Sequence, residues 1–104
     1  MTFQQIRYVV HVADTKSVNQ AAKDLKVKQP SISSAIKNLE KELGIVIFDR
    51  SAKGVTVTVA GEHFLKYAKK IITDYHTIEK NYSNKNKNQN QDGNKNQDDN
   101  ENPQ

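Results

Sequence analysis

The sequence predicts a mainly α-helical fold in which three short helices and one β-hairpin precede a long fourth helix and a polar tail. Three observations carry this prediction. Apolar residues recur at helical spacing in four separate runs between Phe3 and Tyr82. Two segments rich in β-branched residues flank a polar tip that ends at Gly54. From Ser83 to Gln104 there is no Ala, Val, Ile, Leu, Met, Phe, Trp, Tyr or Cys. The first pattern is that of amphipathic helices, the second that of a hairpin, and the third that of a segment unable to build a core.

Phe3, Ile6, Val9, Val10 and Ala13 share one helical face, which gives a first helix from residue 3 to about 14. Thr15, Lys16 and Ser17 interrupt it, and Ser17 is placed to cap a second helix whose stripe is Val18, Ala21, Ala22 and Leu25. Lys26, Val27 and Lys28 form the turn. Pro30 then sits in the first turn of a third helix, where its missing N–H removes no intrahelical bond. The core positions of that helix are Ile32, Ile36, Leu39 and Leu43, and Gly44 follows where a left-handed cap is expected. Two short helices joined by a three-residue turn make a helix-turn-helix at about residues 18-37.

Ile45–Phe48 and Val55–Thr58 are expected to be strands around the tip Asp49, Arg50, Ser51, Ala52, Lys53 and Gly54. The hairpin completes a winged helix-turn-helix over residues 1-58. Thr58 then caps a linker helix over 59-82, with Gly61 where a capping-box glutamate would stand. In this helix Phe64, Ala68, Ile71, Tyr75, Ile78 and Tyr82 fall at alternating steps of four and three, a heptad seam that Leu65 and Ile72 widen. Each large apolar side chain gains roughly 1.5–3 kcal/mol on full burial, so the stripe needs cover. The helix can fold back on its own domain or pair with a second copy. The seam is too long for so small a body to cover, which favours a homodimer using Phe64, Ala68, Ile71, Ile72, Tyr75, Ile78 and Tyr82. The Asn/Lys/Gln/Asp-rich segment 83-104 is expected to be a disordered, inert tail.

Through Tyr82 the chain holds 13 Lys plus Arg against 8 Asp plus Glu, a charge of +5; the tail holds 3 against 4, a charge of −1. A basic small body points to nucleic acid or an anionic membrane. The fourth helix carries Lys66, Lys69, Lys70 and Lys80 around its apolar stripe, but Glu62, Asp74, Glu79 and the heptad period count against a membrane partner. With no cysteine, no signal-peptide pattern and no run approaching the ~20 apolar residues of a membrane span, a cytoplasmic protein is expected. His11, His63 and His76 are scattered without metal-ligand spacing or a carboxylate constellation, and there is no glycine-rich phosphate loop. No enzyme activity, metal or cofactor is therefore expected.

The third helix carries the chemistry of recognition. On a helical wheel Pro30, Ser34, Lys37 and Lys41 lie opposite the core stripe, flanked by Ser31, Ser33 and Asn38. Small hydroxyls allow close approach to a groove, lysines meet phosphates, and Gln29 can donate to and accept from a base edge. Arg50 and Lys53 follow on the wing.

Together these residues resemble the DNA-binding domain of LysR-type transcriptional regulators of bacteria. The likeness runs from residue 3 to about 80. It is carried by Ile6-Arg7-Tyr8, Ser17-Val18-Asn19-Gln20-Ala21-Ala22, Leu25, Val27, Gln29-Pro30-Ser31-Ile32-Ser33, Ile36, Leu39-Glu40, Glu42-Leu43-Gly44, Phe48-Asp49-Arg50 and Thr58-Val59-Ala60-Gly61-Glu62. The resemblance implies that Gln29, Pro30, Ser33, Ser34 and Lys37 meet the major groove, with Arg50, Lys53 and Gly54 near the backbone or minor groove. Ser17, Lys28 and Ser31 complete the candidate DNA-contacting set. It also implies dimers that pair through the linker helix and read an interrupted inverted repeat. Lys28 stands where the family often has a capping Ser or Thr, and Ser34 where it often has Arg or His. The family's small-molecule effector domain has no counterpart in these 104 residues. The expected function is sequence-selective binding of double-stranded DNA by a dimeric, nucleoid-associated transcription regulator without its own effector domain. The alternative is a partner that forms mixed dimers with full-length LysR-type relatives.

Overall fold

The computed structural model describes residues 1–51 and 54–82. Lys53 at the wing tip and the tail expected to be disordered lie outside the described residues. The elements run α1 (Phe3–Thr15), α2 (Val18–Leu25), α3 (Gln29–Leu43), β1 (Phe48–Asp49), β2 (Thr56–Val57) and α4 (Val59–Tyr82). The chain divides after Lys70 into two units, so that α4 contributes its first half to one and its second half to the other.

In the first unit each helix begins and ends on local chemistry. Thr2 opens α1 with a capping box: its hydroxyl accepts from the Gln5 N–H at 3.1 Å, and the Gln5 side chain accepts from the Thr2 N–H at 2.8 Å. Ser17 caps α2 as its sequence position suggests, accepting from the Gln20 N–H at 3.0 Å. Both helices end on a lysine in the left-handed region, Lys16 and Lys26, each at φ 58°. At Lys26 the Val27 N–H reaches back to the Ala22 carbonyl at 3.0 Å, so a Schellman turn joins the two helices of the motif. Gly44 closes α3 at φ 70°.

The faces that these helices share form the core. Val9 and Val12 of α1, Ala21 of α2, and Ile32, Ile36 and Leu39 of α3 are wholly buried, together with Ile47. Leu43, expected in this core, is 36% exposed at the end of α3.

The wing is shorter than its β-branched composition suggests. Its strands pair antiparallel only at Phe48↔Val57 and Asp49↔Thr56, so Ile45–Ile47 is not strand. The backbone there is satisfied from elsewhere. The Glu40 carboxylate accepts from the N–H groups of Ile47 at 2.7 Å and Phe48 at 3.2 Å, and the Ile47 carbonyl accepts from the Thr58 N–H at 3.0 Å. The Thr58–Ile47 bond keeps the register of the ladder, but the reciprocal one is lost: the Ile47 N–H goes to Glu40 of α3 and the Thr58 carbonyl accepts from the Glu62 N–H of α4, so the pairing ends there.

The same contact explains Gly61. A Cβ at that position would lie 2.3 Å from the Ile47 carbonyl oxygen and 2.9 Å from a Val57 methyl. A capping-box glutamate cannot stand there, and Thr58 caps α4 alone, its hydroxyl accepting from the Gly61 N–H at 2.9 Å. Beyond this turn Leu65 and Ala68 are buried in the first unit. In the described part of the second unit Ile71, Tyr75, Ile78 and Tyr82 are 40%, 42%, 58% and 68% exposed. Among the described residues no helix is long and apolar enough to cross a membrane.

Candidate nucleic-acid interface

Helix α3 divides sharply between its two faces. Ile32, Ile36 and Leu39 are buried, while Gln29, Pro30, Ser31, Ser34, Lys37 and Lys41 are exposed and Ser33 is half-buried at the boundary. Its N-terminus has no side-chain cap: Lys28 makes none, Pro30 brings no N–H, and the Ser31 N–H bonds the Lys28 carbonyl at 3.0 Å. The end therefore offers the positive pole of the helix dipole without a competing side-chain acceptor. At the same end the Gln29 amide nitrogen donates to the Ser33 hydroxyl at 3.1 Å, which ties the first side chain of the helix to one a turn later.

The sequence around the motif is one-sided in charge. Between Thr15 and Leu39 the chain has five lysines, Lys16, Lys23, Lys26, Lys28 and Lys37, and one acidic residue, Asp24. Asp24 is already engaged: it accepts from the Gln20 side chain at 2.7 Å and lies 2.9 Å from the His11 ring nitrogen. The hydrogen bond with His11 and then that from Gln20 hold its carboxyl below the ordinary range. The carboxylate thus clamps α2 to α1 rather than neutralising a particular lysine.

Of the remaining candidates, Ser17 spends its hydroxyl on capping α2, which fixes the turn before the motif. On the wing, Arg50 is exposed beside Asp49, whose carboxylate accepts from the Ser51 hydroxyl at 2.6 Å and its N–H at 2.8 Å. The Ser51 side chain and then its backbone lower the Asp49 carboxyl. Gly54 is exposed at φ 80°, a conformation that an L side chain rarely adopts.

The model for the bacterial regulatory helix-turn-helix protein, lysR family, matches residues 3–62, more than half of the chain. This chain belongs to the LysR family. The regulator ClcR of Pseudomonas putida is 40% identical to it over 72 residues, which are 69% of this chain and 24% of ClcR. BsdA of Bacillus subtilis (strain 168) is 44% identical over 73 residues, which are 69% of this chain and 25% of BsdA. The chain thus spans about a quarter of the length of these LysR-family relatives. In three dimensions it is similar to the protein in the BenM_DBD/catB site 1 DNA complex, with a TM-score of 0.73 and 36% identity over 75% of this chain and 88% of that one. A mainly helical winged helix-turn-helix is therefore the fold of this LysR-family domain.

In this LysR-family chain the burial of the α4 stripe changes along the helix. Ala68 is 1% exposed and Leu65 5%, so the first half of the helix is consumed by its own domain and Phe64 is left half-buried. Ile71, Tyr75, Ile78 and Tyr82 are exposed and Ile72 is half-buried. In the sequence Glu40 is marked only by its place beside Leu39 in the family resemblance. Its role in holding the start of the wing spans seven residues and has no periodic signature.

Proposed function

We infer that this LysR-family chain binds double-stranded DNA sequence-selectively as a dimer and regulates transcription from a cytoplasmic, nucleoid-bound position. The observation that carries the reading is the outer face of α3: an uncapped N-terminus, small hydroxyls, and Gln29 and Lys37 exposed over a fully buried inner face. Gln29, Pro30, Ser31, Ser33, Ser34 and Lys37 enter the major groove, while Lys28, Arg50, Lys53 and Gly54 approach the backbone and Ser17 fixes the preceding turn. The relative that shares 36% identity in a complex named for a DNA site supports this assignment. The exposed apolar stripe in the second half of α4 pairs two copies, so that two recognition helices read an interrupted inverted repeat.

Selection of bound sequences from random duplex DNA tests the reading. A gapped inverted repeat is expected. Gln29→Ala should relax selectivity at one position in each half-site, whereas Lys37→Ala should weaken all sequences alike and lower the salt slope by about 1. Enrichment of no sequence, with a grip on DNA explained by charge alone, would overturn it.

A further inference from the structure

We propose that Glu40 is a positioning residue for the wing: by tying the root of β1 to α3, it sets where Arg50 meets the DNA backbone relative to the recognition helix. The inference rests on the reading of α3 and Arg50 as DNA-contacting, and adds a residue that itself touches no DNA.

The connection from α3 to β1 is folded around this one residue. The Glu40 carbonyl accepts from the N–H groups of Gly44 at 2.8 Å and Ile45 at 3.1 Å. One oxygen of its carboxylate, Oε2, accepts from the N–H groups of Ile47 at 2.7 Å and Phe48 at 3.2 Å. Two duties are thereby separated within Glu40. The carbonyl closes α3 and would do so with any side chain, whereas the carboxylate alone reaches the wing. Bonds from N–H groups to an ionised carboxylate are stronger than neutral ones, and they fix a direction. The burial of Phe48 holds the wing to the core, but apolar burial is non-directional. A ladder of only two residue pairs cannot supply the direction either, since an isolated two-stranded hairpin is marginal at best. Arg50 stands exposed two residues beyond Phe48 and inherits the course that β1 takes from its root. Gln29 lies eleven residues before Glu40 on the same helix, about 16 Å along its axis. The helix that enters the groove thus also carries the fixed point from which the arginine is set.

The test measures binding of the full chain to its selected duplex and to random duplex over a range of salt, with thermal melts of each variant. Arg50→Ala should weaken both duplexes alike and lower the salt slope by about 1. Glu40→Ala should do the same with the preferred sequence unchanged, and the double variant Glu40→Ala with Arg50→Ala should fall no further than Arg50→Ala alone. Reach and charge are separated by two conservative variants. Glu40→Asp keeps the charge but is one methylene short, and should lose the same part of the salt slope. Glu40→Gln keeps an oxygen at the right reach, and should retain the wild-type slope. These two decide the matter even if Glu40→Ala does not fold. If the wild type grips no duplex beyond what its charge explains, the groove-binding reading fails, and if Arg50→Ala leaves the slope unchanged, the DNA contact of the wing fails. If Arg50→Ala lowers the slope but Glu40→Asp does not, or Glu40→Gln lowers it as much as Glu40→Asp, the positioning role is wrong. Losses from Glu40→Ala and Arg50→Ala that multiply in the double variant, or a Glu40→Ala variant that only melts earlier with its slope intact, overturn it equally.

Discussion

Single residues at the ends of helices set both stability and recognition here, and at Lys28 the two pull in opposite directions. Its backbone has the extended geometry of an N-cap, yet its side chain makes no cap. Lys28→Ser should therefore raise stability by about 1 kcal/mol in a urea melt while weakening DNA binding and lowering the salt slope by about 1. A variant less stable than wild type would show that the open end is not under-capped. Asp24 gives a pH signature. Its carboxyl is lowered by His11 and Gln20 in the fold, so its contribution is fully present above the ordinary carboxylate value of about 3.9 and is lost as pH falls through the lowered one. Asp24→Asn should make the acid limb of a stability–pH profile shallower, and an unchanged limb would mean that the α1–α2 clamp contributes nothing. Much of this scale was legible beforehand: Ser17 and Gly44 sit where their types demand. The Gln29–Ser33 bond was not, because a wheel gives the face of a side chain but not its rotamer.

Among the elements, the wing and the start of α4 depend on each other more than on their own propensities. Ile45–Ile47 has the composition of a strand, but the Ile47 N–H is taken by Glu40 and only its carbonyl stays paired across the wing, with the Thr58 N–H; that carbonyl in turn leaves room for nothing larger than glycine at residue 61. Gly61→Ala gains up to about 1 kcal/mol of helix propensity but drives a methyl into a backbone carbonyl, an overpacking cost of about 3 kcal/mol. The net effect should be a clear loss of stability in chemical denaturation; a stabilised variant would show that α4 does not press on Ile47. Helix periodicity located α1, α2 and α3 closely because the apolar repeat is a local property of each segment. Strand length was overestimated because it depends on which partner reaches a backbone group first, and that partner was seven or more residues away.

Across the whole molecule the basic surface and the uncovered seam define what the chain is able to meet. Replacing Ile78, 58% exposed in the second half of α4, by aspartate leaves the core of the first unit untouched. Ile78→Asp should weaken self-association at least roughly tenfold in sedimentation equilibrium, since it puts a charge into an apolar contact, and should reduce affinity for a full inverted repeat toward that for a half-site. An association as tight as wild type would remove the seam from the dimer. The order of the helices, the turn between α2 and α3, the outward face of α3 and the excess of lysine were determined by the sequence alone, because periodicity, capping chemistry and charge are properties of neighbouring residues. Only the tertiary structure decided that Leu65 and Ala68 are buried while Ile71, Tyr75, Ile78 and Tyr82 are exposed, and that Glu40 rather than a longer ladder holds the start of the wing. Those outcomes turn on which distant groups come into contact, and a one-dimensional pattern carries no record of distance.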